Sequence, residues 1–78
     1  MPRYYFDTQD NSGVVRDPVG VDLQDDEAAR RLSISILPDM VEDAPRDGKR
    51  RKFVVVVRNA DRFPIMMKVM TISCKWLA

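Results

Sequence analysis

The sequence predicts one small α+β domain over residues 1–78. Its elements run β-β-α-β-β, forming a four-stranded antiparallel sheet with one kinked helix across one face. Three observations carry this. Residues 25–43 hold the chain's only helical hydrophobic pattern. Short segments rich in β-branched and aromatic residues flank it on both sides. Seventy-eight residues with one cysteine and no histidine allow a single core, with neither a disulfide nor a zinc site to support it.

Arg3-Tyr4-Tyr5-Phe6-Asp7-Thr8 alternates as a strand, with Tyr4, Phe6 and Thr8 on one face and Arg3, Tyr5 and Asp7 on the other. Gln9 to Gly13 is rich in residues that close turns or accept positive φ, which predicts a hairpin loop. Val14-Val15-Arg16 returns as a short second strand. Asp17-Pro18-Val19-Gly20 breaks it, and Val21-Asp22-Leu23 leads extended into the helix.

Asp25 is the expected helix N-cap, its carboxylate accepting from a first-turn amide. Asp26 and Glu27 sit at the positive end of the macrodipole and are spaced for pairing with Arg30 and Arg31. Ala29, Leu32, Ile36 and Met40 form the apolar stripe, widened by Leu37 and Val41, while Ile34 falls off it. Leu23 is placed to staple the helix start from outside the cap. Pro38 has no amide to bond back to Ile34, so a bend is expected there, and Ala44-Pro45 ends the element.

Arg46 to Lys52 reads as a solvated loop. Phe53 to Val57 is apolar at successive positions, a strand covered on both faces. After a turn at Asn59–Arg62, Pro64 opens the last strand, which runs from Ile65 to about Trp76 and suits a sheet edge. Ile65, Met67 and Val69 fall on one side of it, and Met66, Met70, Ile72, Cys74 and Trp76 on the other. Strand order 2-1-3-4 with a right-handed helical crossover is the most economical arrangement.

One helix covers one face of a sheet, yet the third and fourth strands are apolar on both. Phe63 and Trp76 could cover the second face within the monomer. An exposed apolar patch otherwise marks an interaction site, and a long edge strand offers unpaired backbone groups. The interface candidates are Met66, Met70, Ile72 and Trp76. A homodimer is the expected assembly, with a different protein as the alternative partner.

The opening Met-Pro-Arg-Tyr-Tyr-Phe-Asp resembles a family of short proteins from soil and plant-associated bacteria, classed as a domain of unknown function, whose members begin with Met-Pro-Arg-Tyr and an aromatic pair. The resemblance covers the whole chain. It continues through Asp17-Pro18-Val19-Gly20-Val21-Asp22-Leu23, where the family has Asp-x-x-Gly-x-x-Leu, through Glu27-Ala28-Ala29-Arg30, and through Val57-Arg58-Asn59-Ala60-Asp61. The family often has glycine in the final turn where this chain has Arg62, which implies a rebuilt or mildly strained turn. The resemblance implies the β-β-α-β-β order and no activity. The strand–hairpin–strand followed by a Glu-Ala-Ala helix is also similar in architecture to the N-terminal part of HicB-type antitoxins, which resemble a fragment of the ribonuclease H fold. Likeness of architecture alone does not carry function.

Net charge is +1 but unevenly placed: residues 1–27 carry two arginines against seven acids, and residues 28–78 eleven cations against five acids. Lys49-Arg50-Arg51-Lys52 is the candidate nucleic-acid contact, with Arg46, Arg58 and Arg62 able to extend it. The competing reading is a solvated turn whose charges keep the adjoining apolar strand from aggregating. Asp7, Asp10, Asp17 and Asp22 match no calcium loop and read as strand-end and turn carboxylates. A residual hydrolase-like acidic metal site is the weakest of the readings, and no metal or cofactor is expected. Tyr4 and Tyr5 could stack bases on an open face, but the glycine-aromatic motif of RNA-binding sheets is missing. One tyrosine is expected in the core and the other at the surface.

Cys74 has no histidine to activate it, and Met66, Met67 and Met70 read as core or interface filler. With no histidine, no nucleophile beside a base and no glycine-rich phosphate loop, no catalytic residue is expected. No apolar run suggests a signal peptide or a membrane span, so the cytoplasm is the expected compartment. The expected role is a small non-catalytic protein-interaction or self-associating module. The alternative is a nucleic-acid-associated, antitoxin-like regulator acting through residues 49–52.

Overall fold

A computed structural model describes residues 1–44 and 50–77. The elements are β1 (Arg3–Asp10), β2 (Gly13–Val15), β3 (Val21–Asp22), α1 (Asp26–Asp43), β4 (Arg51–Arg58) and β5 (Pro64–Ile72). The antiparallel sheet has the order β2-β1-β4-β5, and β3 also pairs with β1. This is the predicted order with one addition, because the extended lead into the helix is itself a short strand. Several boundaries differ from the sequence reading: β1 continues through Gln9 and Asp10, β2 runs Gly13–Val15 rather than Val14 to Arg16, β4 extends from Arg51 to Arg58 beyond Phe53 to Val57, and β5 ends at Ile72.

β2 and β3 are two parts of one return path interrupted by a turn. Val15 lies opposite Thr8 and Val21 opposite Tyr4, so residues 16–20 are accommodated against Tyr5–Asp7 alone. The surplus residues bulge. Asp17 holds the bulge closed: one carboxylate oxygen accepts from the Phe6 amide at 3.1 Å, and the other from the Val19 and Gly20 amides at 3.0 Å each. Gly20 is required because its φ is +79° and a Cβ there would lie 2.8 Å from Arg3 Cγ and 2.9 Å from the Tyr4 carbonyl. Leu23 then donates its amide to the Pro2 carbonyl and packs against the core at the helix start.

α1 begins as expected, with Asp25 Oδ1 accepting from the Ala28 amide at 2.9 Å. Glu27 takes both arginines, Arg30 at 2.7 Å and Arg31 at 3.6 Å. Asp26, expected to pair with Arg30, instead accepts from the Tyr4 hydroxyl at 2.5 Å and so ties the helix start to β1. The helix runs unbroken through Pro38. Ala29, Ser33 and Leu37 form its buried line, with Leu32, Ile36, Met40 and Val41 partly buried beside it. Ser33, which the apolar pattern passes over, is fully buried, its hydroxyl oxygen 3.9 Å from the Met66 sulfur of β5. Its hydroxyl donates to the Arg30 carbonyl at 2.6 Å, which satisfies the buried polar group within the helix.

The core under the helix joins Tyr4 and Phe6 of β1, Ala29 and Leu37 of α1, and Phe53, Val55 and Val57 of β4. Met66 and Met70 pack against this cluster from β5, opposite Val57 and Phe53. These two interface candidates therefore face the helix, not the open side to which a partner was assigned. The open side of β5 carries Met67 and Val69 instead, opposite Val56 and Val54. Ile65 is skipped where Val57 pairs with Met66 and Arg58 with Pro64, a bulge that resets the alternation. Lys68, on the helix face of this edge strand, adds its charge to those of Arg30 and Arg31 in holding Glu27 below the usual carboxylate range, with the Arg30 hydrogen bond the main cause.

In the final turn Arg62 has φ +66°, the strained conformation that its place in a glycine position implied. Asn59 stabilises the turn, its side-chain oxygen accepting from the Asp61 and Phe63 amides at 3.0 Å each.

Gly20→Ala is expected to destabilise the domain by at least about 1–2 kcal/mol, the cost of an L-residue at positive φ, read as a lower urea midpoint by far-ultraviolet circular dichroism. The Asp26 hydrogen bond pushes the Tyr4 phenol up to about 12 from 10.0. Below pH 10 the phenol is neutral whether folded or not. Between pH 10 and 12 only the unfolded chain ionises, so this contribution to stability is lost across that window. Tyrosinate absorbance should therefore show one tyrosine ionising near pH 12, and Asp26→Asn should bring that step down.

Candidate interaction face

The face of the sheet away from α1 is built from Tyr5, Asp7 and Gln9 of β1, Val54, Val56 and Arg58 of β4, and Met67, Val69 and Thr71 of β5. It divides into a closed half and an open half.

The closed half is polar and buried. Arg58 donates from Nε to Asp7 Oδ2 at 2.6 Å and from Nη2 to Asp7 Oδ1 at 2.9 Å, with both side chains about nine-tenths buried. Arg58 Nη2 also donates to the Asp17 carbonyl at 3.1 Å, and the Asp17 amide donates to Asp7 Oδ1 at 2.9 Å. The Asp17–Gly20 bulge thus folds over this end of the sheet and is fastened to it at both polar ends. Tyr5 lies beneath, with the guanidinium carbons of Arg58 and Arg62 at 4.8 and 5.3 Å from its ring centre. Both tyrosines are buried, so neither ring is presented for base stacking. Burial pushes the Asp7 carboxyl up, but Arg58 and the Asp17 amide more than offset this and hold it below the usual range. Asp17 is lowered too: burial raises it, and the Gly20, Phe6 and Val19 amides together with Arg58 outweigh that.

The open half is apolar on its floor and on one wall. Val54 and Val56 floor a groove of about 260 Å³ running along β4, walled by Gln9, Asp10 and Asn11 on one side and by Met67 and Val69 on the other, with Lys52 at its end. Met67 is 65% exposed and Val69 47%. Phe63 and Trp76 do not cover this half; they are 68% and 86% exposed. Residues 73–77 follow β5 without strand pairing, placing Cys74 and Trp76 in an exposed tail rather than in the strand. Ile72 closes β5 opposite Arg51, partly exposed.

The basic run is divided. Lys49, like Arg46, lies outside the described residues. Arg50 is exposed, and its carbonyl accepts from Asn11 Nδ2 at 3.2 Å. Arg51 and Lys52 belong to β4 and alternate, Arg51 toward the helix face and Lys52 toward the groove. Arg58, offered as an extension of the patch, is instead consumed by Asp7. Of the four early acids, Asp7 and Asp17 hold the closed half, Asp10 caps the hairpin through the Ser12 amide at 2.7 Å, and Asp22 pairs with Arg3 at 3.0 Å. Among the described residues no group of three or more acids, cysteines or histidines is placed to hold a metal ion. Among them, too, no helix is long and apolar enough to cross a membrane.

The model of one protein family, the domain of unknown function DUF6894, matches residues 3–71. The chain belongs to that family. No curated protein and no solved structure matches it. In this DUF6894 domain the Asp-x-x-Gly-x-x-Leu stretch has a physical account. Asp17 closes the bulge, Gly20 permits its positive φ, and Leu23 packs at the helix start. Val57-Arg58-Asn59-Ala60-Asp61 supplies the other side of the same contact through Arg58. The sequence signal for this was slight: Asp7 directly follows three aromatic residues of β1, and Arg58 directly follows four valines of β4.

Asp7→Asn leaves Arg58 buried beside a neutral amide and is expected to cost about 3–5 kcal/mol, a large part of the roughly 5–15 kcal/mol of an ordinary domain. Asp7→Leu with Arg58→Met should recover only part of the loss, because the Asp17 amide and carbonyl also lose their partners. Because both carboxyls are lowered in the folded state, their contribution is present above the unfolded value of 3.8 and is lost as pH falls through the folded values. An acid titration by circular dichroism should show the wild type unfolding below about pH 4 and the double variant changing less.

Proposed function

We propose that this domain is a small non-catalytic interaction module that associates with a second copy of itself through the open half of its sheet. The observation that supports this best is the unequal covering of the two faces. The helix covers one face and the Asp17–Gly20 bulge part of the other, which leaves beside the bulge a groove with an apolar floor and exposed Met67 and Val69 on its wall. Exposed apolar residues grouped around a groove mark an association surface. β5 adds the outer edge of a nine-residue strand beside it. A nucleic-acid role has weaker support, since Arg51 and Lys52 diverge and Arg58 is committed to Asp7.

Light scattering at rising concentration should approach twice the chain mass of 9.0 kDa. Met67→Glu, at the exposed wall of the groove, should return the mass to that of one chain with the circular dichroism unchanged. Met66→Glu, one residue away but facing the helix, should instead destabilise the fold by several kcal/mol, on the order expected for a buried unpaired charge. A wild-type mass of 9.0 kDa at every concentration would overturn the reading.

A further inference from the structure

The exposed tail and the uncovered groove have complementary chemistry. Trp76 and Leu77 are 86% and 89% exposed, the most exposed large apolar side chains in the described residues. The groove has a valine floor, a methionine wall and about 260 Å³ of space. A cavity of about 150 Å³ holds a benzene ring, so this one has room for an indole. Lys75, next to Trp76, matches the charge of Asp10 on the groove rim. The tail also leaves the sheet at the right end: β5 closes with Thr71 opposite Lys52 and Ile72 opposite Arg51, beside the groove's Lys52 end.

We infer that two copies exchange tails, with Trp76 of each seated in the β4 groove of the other. The inference rests on the self-association reading and adds the contact that makes it specific. A tail that filled its own groove would bury Trp76, and here the indole stands in solvent. Reciprocal exchange is the closed, two-fold form of such a contact, in which residue i meets j and j meets i. A single aromatic in an apolar pocket is the usual energetic centre of a small interface. Its size is modest. Each tryptophan buries roughly 150–250 Å² of its own surface, so two of them and the groove surface they cover come to roughly 600–1,000 Å², below the standard interface size. The dimer should dissociate on dilution.

Trp76 is the chain's one tryptophan, so its fluorescence reports the contact directly. With rising concentration the emission should shift to shorter wavelength in step with the doubling of mass. Trp76→Ala and Met67→Glu should each be monomeric alone, and in Met67→Glu the emission should stay that of an exposed indole. Mixing the two restores one intact tail and one intact groove, so the Met67→Glu tryptophan should then shift and the mass should rise. A dimeric Trp76→Ala chain, or a doubled mass with an unshifted emission, would overturn the tail exchange and leave self-association standing. A short-wavelength emission independent of concentration means that the tail folds onto its own groove, and it too overturns the exchange. An exposed indole on a monomer at every concentration overturns both readings.

Discussion

The pairing of Asp7 with Arg58 is the constraint on which the arrangement of this domain depends. Both side chains lie on the sheet face that has no helix over it, in two adjacent strands, and both are buried. A buried ion pair is tolerated only where further hydrogen bonds satisfy the remaining lone pairs and protons. Here those bonds come from the backbone of Asp17, which gives its amide to Asp7 and its carbonyl to Arg58. The charges therefore need the bulge. The bulge in turn needs Gly20 for its positive φ and the Asp17 carboxylate to bind the amides that would otherwise be left unpaired. Sheet pairing, turn conformation and charge burial form one interdependent unit.

That unit explains how the chain covers part of its second sheet face with no helix of the described residues packed there. The return path from β2 to β3 contains more residues than the strand it accompanies, and the surplus is folded over Tyr5, Asp7 and Arg58. The covering reaches only the end of the sheet where Asp17 can reach Arg58. At the other end, Asn11 does a smaller version of the same thing along the sheet edge. Its side chain accepts from the Lys52 amide at 3.3 Å and donates to the Arg50 carbonyl, extending the β1–β4 pairing without covering Val54 or Val56 from above. The open groove begins where the polar fastening stops.

Local pattern made much of this legible. Asp25 as N-cap, the face assignment of Tyr4 and Phe6 and the position of β4 follow from spacing of a few residues, and the strand order from the economy of the connections. Of the rebuilt and the mildly strained turn that the family resemblance implied at Arg62, the positive φ is the strained one. What the pattern missed has identifiable causes. Asp7 and Arg58 are 51 residues apart, and no periodicity links an acid in one strand to a base in another. Met66 and Met70 face the helix rather than a partner, and alternation does not show this because β5 is apolar on both sides and the pattern separates two sets without saying which one meets the helix. Lys68 shares the helix face with Met66 and Met70, where its charge acts on Glu27 at the helix start. Ser33 was passed over because a serine breaks an apolar stripe, although a small residue that bonds to its own helix suits a close approach to the sheet.

The two halves of the uncovered face also differ in what evolution of a partner surface would require. The closed half is fixed, since each member of the Asp7–Arg58–Asp17 set leaves the others buried and unpaired if it is changed. The open half carries no such coupling. Met67 and Val69 project from an edge strand into solvent, and substitution there alters the surface without breaking a buried network. A rigid half beside a freely variable one is a scaffold on which the contact surface can be changed while the fold is retained. The groove takes its shape from β4, which is clamped on one side by Arg58 and on the other by Asn11. Its position is thereby set by the polar network even though none of its apolar lining belongs to that network.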